Sequence, residues 1–184
     1  MSDWPWPAPP DDGAAAHLVP GLALPAVVLP STKGEPVALA TRPGRTLLAV
    51  YPWTGRPGMD NPPGWDDIPG AHGSTPELEG FRDLHPRFRA VGVTVYGVSG
   101  QSAEWQTELA TRLALPFPLL SDAAGELRAT LSLPAFTVHG VTYLRRLTLL
   151  LDAGRIIRCL YPVHPPDMHA AEVLTWLEAG PGSL

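Results

Sequence analysis

Apolar positions along this chain of 184 residues follow two periods, and the switches between them outline its elements. RTLLAVY (Arg45–Tyr51) and VTVYGVS (Val93–Ser99) are short, nearly continuous apolar runs, the pattern of strands buried on both faces. Between them, Ser-Thr-Pro-Glu opens a helix at Ser74. It supplies a hydroxyl cap, a proline in the first turn and a glutamate three residues on. Leu78, Phe81, Leu84 and Phe88 then recur at helical spacing, and Pro86 is expected to kink or break the run. A second helix is predicted over Ser102–Leu115, with Trp105, Leu109 and Leu113 on one face. A short strand at Phe117–Leu120 and a short helix at Ala124–Leu131 follow.

Nearer the start, LPAVVLP (Leu24–Pro30) predicts a strand, STKGEP a turn and Pro36–Ala40 its return. Towards the end, Arg146–Asp152 and Arg155–Tyr161 flank Ala-Gly, a two-residue hairpin turn. Asp167–Ala179 reads as a closing amphipathic helix with Asp167 as its cap. The order predicts an α/β sandwich, a mixed central β-sheet flanked by helices, with an N-terminal β-hairpin. Residues 1–20, rich in proline and carrying Trp4 and Trp6, are expected to form a flexible arm, leaving 21–180 as one domain. The stretch Pro52–Gly73 has no periodicity of its own, and loops of that length are usually functional or mobile.

Composition narrows the classes. Hydrophobic residues make up 45% and charged residues 17%, a globular balance. No apolar stretch approaches the roughly 20 residues a membrane span requires. A net charge of −5 gives no electrostatic footprint for nucleic acid. The start, MSDWPWPAPP, has neither a basic region nor an apolar segment, so a cytoplasmic location is expected. Lys33 is the only lysine among 13 basic residues, which suggests a bacterial, high-GC source. The single cysteine, Cys159, excludes an internal disulfide and any zinc site built on paired cysteines. It falls on a strand alternation and reads as an apolar, unreactive thiol.

Ser74 follows Gly70-Ala-His-Gly73 at a helix start, where unsatisfied N–H groups and the helix dipole favour negative charge. A thiol there would be activated, whereas a serine hydroxyl needs a neighbouring base, and no GxSxG elbow is present. On its own Ser74 is a helix cap. His72, Glu77, Glu79, Asp83 and His85 crowd together without a fixed ligand spacing and read as a solvated acidic face, with no metal or other cofactor expected. Arg145 and Arg146 enter an apolar strand, either in solvent at its edge or facing an anionic or peroxidic group. Trp53, Trp65 and Trp105 read as anchors of core or loop. Glycine-rich phosphate cradles are missing, which argues against nucleotide chemistry.

Several stretches together resemble the peroxiredoxins, an AhpC/TSA family of thioredoxin-like fold, and within them the PrxQ or bacterioferritin-comigratory-protein branch. LPAVVLPSTKGEPVAL resembles the opening strand and hairpin, and LLAVYP the strand before the active-site loop. GSTPELEGFRDLHPRFRAVGVTVYGVS resembles the run of Gly-Cys-Thr, second cysteine and FRD, while LPFPLLSDAAGELRATLSL and RRLTLLLDAGRI complete the likeness from about Leu18 to Leu177. The segment Asp60–Gly73, DNPPGWDDIPGAHG, looks like the insertion of a subgroup with an extended loop.

The resemblance implies a thiol-dependent peroxidase that reduces hydrogen peroxide or organic hydroperoxides with an external thiol such as thioredoxin, as a monomer or homodimer. Ser74 falls at the peroxidatic cysteine, as in a cysteine-to-serine variant, and Glu79 at the resolving cysteine. Arg146 matches the arginine that lowers the thiol pKa and orients peroxide. Pro52 matches the proline that opens the active-site loop, Gly73 and Thr75 flank the nucleophile position, and the resemblance implies that these three bind substrate. Ala71 stands where the family has threonine. Family spacing without the insertion would select Met59, which lacks both the helix start and the FRD run. With serine at 74 the chain is expected to be inactive, because oxygen has no sulfenic state. The alternative is a redox-inactive thioredoxin-fold binding module.

Overall fold

The computed structural model describes residues 3–180. Two short strands, β1 (Val28–Leu29) and β2 (Val37–Ala38), pair antiparallel as the expected N-terminal hairpin. They precede β3 (Arg45–Val50), helix α1 (Ser74–Ala90), β4 (Val93–Ser99), α2 (Ala103–Arg112), β5 (Leu119–Ser121) and α3 (Glu126–Leu131). A second hairpin, β6 (Ala135–Val138) with β7 (Val141–Leu144), leads into β8 (Leu147–Asp152), β9 (Arg155–Leu160) and α4 (Pro166–Ala179). The central sheet has the order β5-β4-β3-β8-β9, with β3, β4 and β5 parallel and β8 and β9 antiparallel to their neighbours.

Alternation along β3 explains why its sequence is apolar throughout. Leu47, Ala49 and Tyr51 join the core packed with α1 and α4, through Phe81, Phe88, Val173 and Leu174. Leu48 and Val50 point the other way, into a core that includes Leu127, Leu131, Leu149 and Ile156. A strand at the centre of such a sandwich has no solvent face to signal with polar residues.

Two expectations are modified and one hairpin is added. Pro86 neither breaks nor ends α1, which continues to Ala90. Pro86 is exposed while Phe81 and Phe88 are buried, so packing of the other face holds the helix through it. The helix expected to start at Asp167 begins one residue earlier, at Pro166, where a missing N–H costs nothing. The β6–β7 hairpin is not foreseen from the sequence pattern; His139 and Gly140 turn it with positive φ.

The arm expected at 1–20 does not stand clear of the domain over its described residues. Ala15 and Leu18 are buried in the core, and His17 Nε2 bonds the Leu131 carbonyl at 2.8 Å. Local composition reads as solvated because only one residue in three or so carries the contact.

Candidate active site

Helix α1 starts in a crowded corner. Its N-cap is Gly73, at φ 107°, where a Cβ would fall 2.2 Å from Pro166 Cγ and 2.8 Å from Trp4 Cζ2. Only glycine fits there. Ser74 is therefore the first helical residue rather than the cap, and Gly73 has no side chain to cap with. The Ser74 hydroxyl turns inward and accepts a hydrogen bond from Arg146 Nη2 at 3.1 Å. Ser74 is 2% exposed.

Arg146 arrives from the sheet. Val50 pairs with Leu147, so Arg146, one residue before β8, lies beside the end of β3 and under the start of α1. Its guanidinium is buried and fully engaged at both terminal nitrogens. Nη2 also donates to the His72 carbonyl at 3.1 Å, and Nη1 donates to Glu77 Oε2. Glu77 lies three residues after Ser74, on the same side of α1, and is completely buried. Burial raises its carboxyl pKa above the ordinary value, opposed by the charge and hydrogen bond of Arg146. Glu77 Oε1 and Arg146 Nε have no partner among the described residues. Removing one member of such a pair leaves the other as an uncompensated buried charge, at a cost of about 3–5 kcal/mol.

Behind the arginine, Thr148 follows on the same face of β8, and its Oγ1 is hydrogen-bonded to His169 Nε2 at 2.8 Å. Burial, and secondarily the charge of Arg146, push the His169 pKa down to about 4. The imidazole is neutral at pH 7.

Above Ser74 lies an open chamber of about 250 Å³. Its base is formed by His72, Gly73, Ser74 and Thr75, and its walls carry the indoles of Trp4, Trp6, Trp53 and Trp65. Ala71, where a family threonine was expected, also lines it, as does Thr54. The Thr54 hydroxyl is bound to Gln101 Oε1 at 3.1 Å, and its carbonyl accepts from Trp105 Nε1 at 2.8 Å. Trp65, from the long insertion, is 2% exposed and packs on Trp53, Phe136 and Tyr143. One buried ring thus pins a loop whose composition suggested mobility.

The predicted site residues divide. Ser74, Gly73 and Thr75 meet at the chamber, with Arg146 beneath Ser74. Pro52 is buried at the end of β3 and lines a neighbouring cleft with Trp53, Gln101, Trp105 and Tyr143. Glu79 lies farther along α1 and pairs with Arg82 at 3.6 Å. Asp83 also pairs with Arg82, His72 pairs with Asp66 at 2.9 Å, and His85 packs on Phe117. The acidic cluster therefore disperses, and among the described residues no three His, Cys, Asp or Glu side chains gather as metal ligands. Met59 is exposed on the loop. Arg145 turns away from Arg146, over Phe136 and 3.9 Å from Asp12. Cys159 is half-buried on β9, its thiol pushed up to about 11 by desolvation. Arg158, the cation next to it in sequence, lies over Trp176 instead.

Residues 69–159 match the model of the AhpC/TSA family. A putative peroxiredoxin bcp of Coxiella burnetii is 30% identical over 158 residues, covering 84% of this chain and 95% of that protein. This chain belongs to the peroxiredoxin family. The chloroplastic peroxiredoxin Q of Sedum lineare is 29% identical over 166 residues, with 89% and 80% covered. Among solved structures, peroxidoxin BcpB of Mycobacterium tuberculosis superposes with a TM-score of 0.69 at 26% identity, covering 89% and 98%. A cysteine-to-serine mutant of Xylella fastidiosa PrxQ does so at 0.69 and 27%, covering 89% and 97%. The peroxiredoxin fold is thus the thioredoxin-like one expected from the sequence, and the family's activity is thiol peroxidase chemistry.

Two members of the constellation are not singled out by the sequence. Glu77 reads there as one of several solvated acids; its signal is the i, i+3 spacing from Ser74, which becomes informative only once Arg146 is known to lie beneath. The Thr148–His169 pair joins a strand and a helix 21 residues apart and leaves no local mark.

Proposed function

We propose that residue 74 is the nucleophile position of this peroxiredoxin, and that serine there leaves a peroxidase scaffold that does not turn over peroxide. The observation that carries the reading is the 3.1 Å contact from Arg146 to Ser74 Oγ at the first turn of α1. A sulfur in that position would meet a guanidinium and the positive end of a helix, both of which stabilise a thiolate.

The chemistry follows from that charge. A thiolate at 74 attacks the distal oxygen of a hydroperoxide; an S–O bond forms as the O–O bond breaks. The electron pair leaves on the second oxygen, which takes up a proton as water or alcohol. Sulfur becomes a sulfenic acid, oxidised by two electrons, and an external thiol such as thioredoxin returns it to the thiol. Glu79 supplies no resolving sulfur, so the cycle is that of a one-cysteine enzyme. The serine hydroxyl has no corresponding oxidation state.

The test is peroxide consumption in the presence of a small dithiol, comparing this chain with Ser74→Cys. Turnover by the cysteine form alone supports the reading. Absence of turnover in a folded Ser74→Cys protein overturns it, and favours a redox-inactive binding module, for which the tryptophan-walled chamber is the supporting observation.

A further inference from the structure

The segment 3–10 has one side turned to the protein, and its Trp4 and Trp6 line the Ser74 chamber. Trp4, Trp6 and Pro9 are half-buried, while Asp3, Pro5, Pro7, Ala8 and Pro10 are exposed. Contacts are spread along its length. Trp4 Cζ2 presses on Gly73, and the Trp6 ring stacks on His72 with centroids 3.8 Å apart and planes 8° apart. Pro9 Cβ and Cγ lie 3.1 Å from where a Gly70 Cβ would stand. Beyond it, Asp12 accepts a hydrogen bond from the Tyr161 hydroxyl at 2.8 Å, and Ala15 and Leu18 root the segment in the core.

The two ends of this segment differ. The root is buried, whereas the part over the chamber is held by half-buried rings on an exposed backbone with no ladder hydrogen bonds. Segments with few buried apolar contacts open locally at low free energy. Alternating proline keeps the segment extended when free, so docking orders little that is not already ordered, which is how proline-rich peptides bind aromatic grooves.

We propose that residues 3–10 act as a strap, a built-in ligand of the aromatic rim that keeps protein partners away from residue 74 while leaving the chamber open to small molecules. With Trp4 and Trp6 docked among its walls, the chamber still holds about 250 Å³. A small hydroperoxide fits in that space. A protein thiol has to approach over the surface that Trp4 and Trp6 cover, and therefore displaces them. The occupant is the segment of the same chain, whose root at Ala15 and Leu18 fixes it beside this rim. The inference rests on the contacts of the segment and holds whether or not residue 74 can turn over peroxide.

The test uses the full chain with a single thiol at the site, Ser74→Cys with Cys159→Ser, with and without Trp4→Ala and Trp6→Ala. Each protein is labelled with N-ethylmaleimide and with a polyethylene-glycol maleimide. Lifting the strap is expected to speed the bulky reagent by about tenfold or more and the small one by less than about threefold. Unchanged labelling by the bulky reagent overturns the proposal, as does equal acceleration of both, which would mean general loosening of the site. In the parent chain, the ring protons of His72 should be shifted upfield by the stacked Trp6 and return on Trp6→Ala; unshifted His72 signals in the parent overturn the docking itself. Labelling rates that fall as protein concentration rises would overturn docking within one chain. None of these readouts requires peroxide turnover, so failure of the strap and failure of the peroxidase reading remain distinguishable.

Discussion

Ser74 and Cys159 occupy environments of opposite sense. At the start of α1 the Ser74 hydroxyl stands at the positive end of a helix of 17 residues, 3.1 Å from a buried guanidinium. On β9 the chain's one thiol, Cys159, is half-buried beside apolar residues, and desolvation alone pushes it up to about 11. A thiolate would be stabilised at the first position and is suppressed at the second. Reactivity in this fold is therefore a property of place, and counting cysteines says little about it.

Moving the sulfur is the sharpest way to break the contrast. The double variant Ser74→Cys/Cys159→Ser is expected to consume peroxide with thiol present, while the unaltered chain shows none. Turnover by the unaltered chain that disappears on Cys159→Ser would reverse the comparison. Next in size is Arg146→Ala in the Ser74→Cys background. Loss of a charge at the reacting atom is expected to lower kcat/KM by about 10²-fold or more, and urea denaturation should show a loss of about 3–5 kcal/mol from the stranded Glu77. An unaltered rate would detach Arg146 from the chemistry.

His169 gives a pH test of the same buried region. Its folded pKa is about 4, below the ordinary histidine value of 6.5. The unfolded chain thus binds the proton that the folded one refuses. The associated stability is complete above pH 6.5 and is lost as pH falls towards 4, amounting to roughly 3 kcal/mol. Denaturant titrations of His169→Gln should show a flatter pH dependence over that window; an identical slope would mean that the imidazole protonates without consequence. The smallest expected effect concerns Cys159. Its alkylation should be slow at pH 8 and increase about tenfold per unit until pH approaches 11. A plateau near pH 8 would show a normal thiol.

The strands were legible wherever burial on both faces wrote an unbroken apolar run, as in Val93–Ser99, where the observed β4 has the expected limits. The helix containing Pro86 was harder, because the residue that argues against a helix lies on the face that packing does not use. Ser74 and Arg146, which the structure brings together, were singled out by the family resemblance of the GST–FRD run and of the strand that Arg146 enters. Glu77 was not, since its meaning depends on a partner 69 residues away. The strap escaped for a related reason: Trp6 has no local periodic partner, and the ring it stacks on belongs to a loop at His72.

The ion pair between Arg146 and Glu77 has a consequence for descent. Each partner is needed to neutralise the other in a dry interior, so losing either one is penalised by misfolding before any catalytic loss is felt. Ser74 has no such hold on the fold, since exchanging its oxygen for sulfur leaves the Arg146–Glu77 pair intact. Natural selection acting on solubility alone would then preserve the arginine and the glutamate through generations in which residue 74 is free to change.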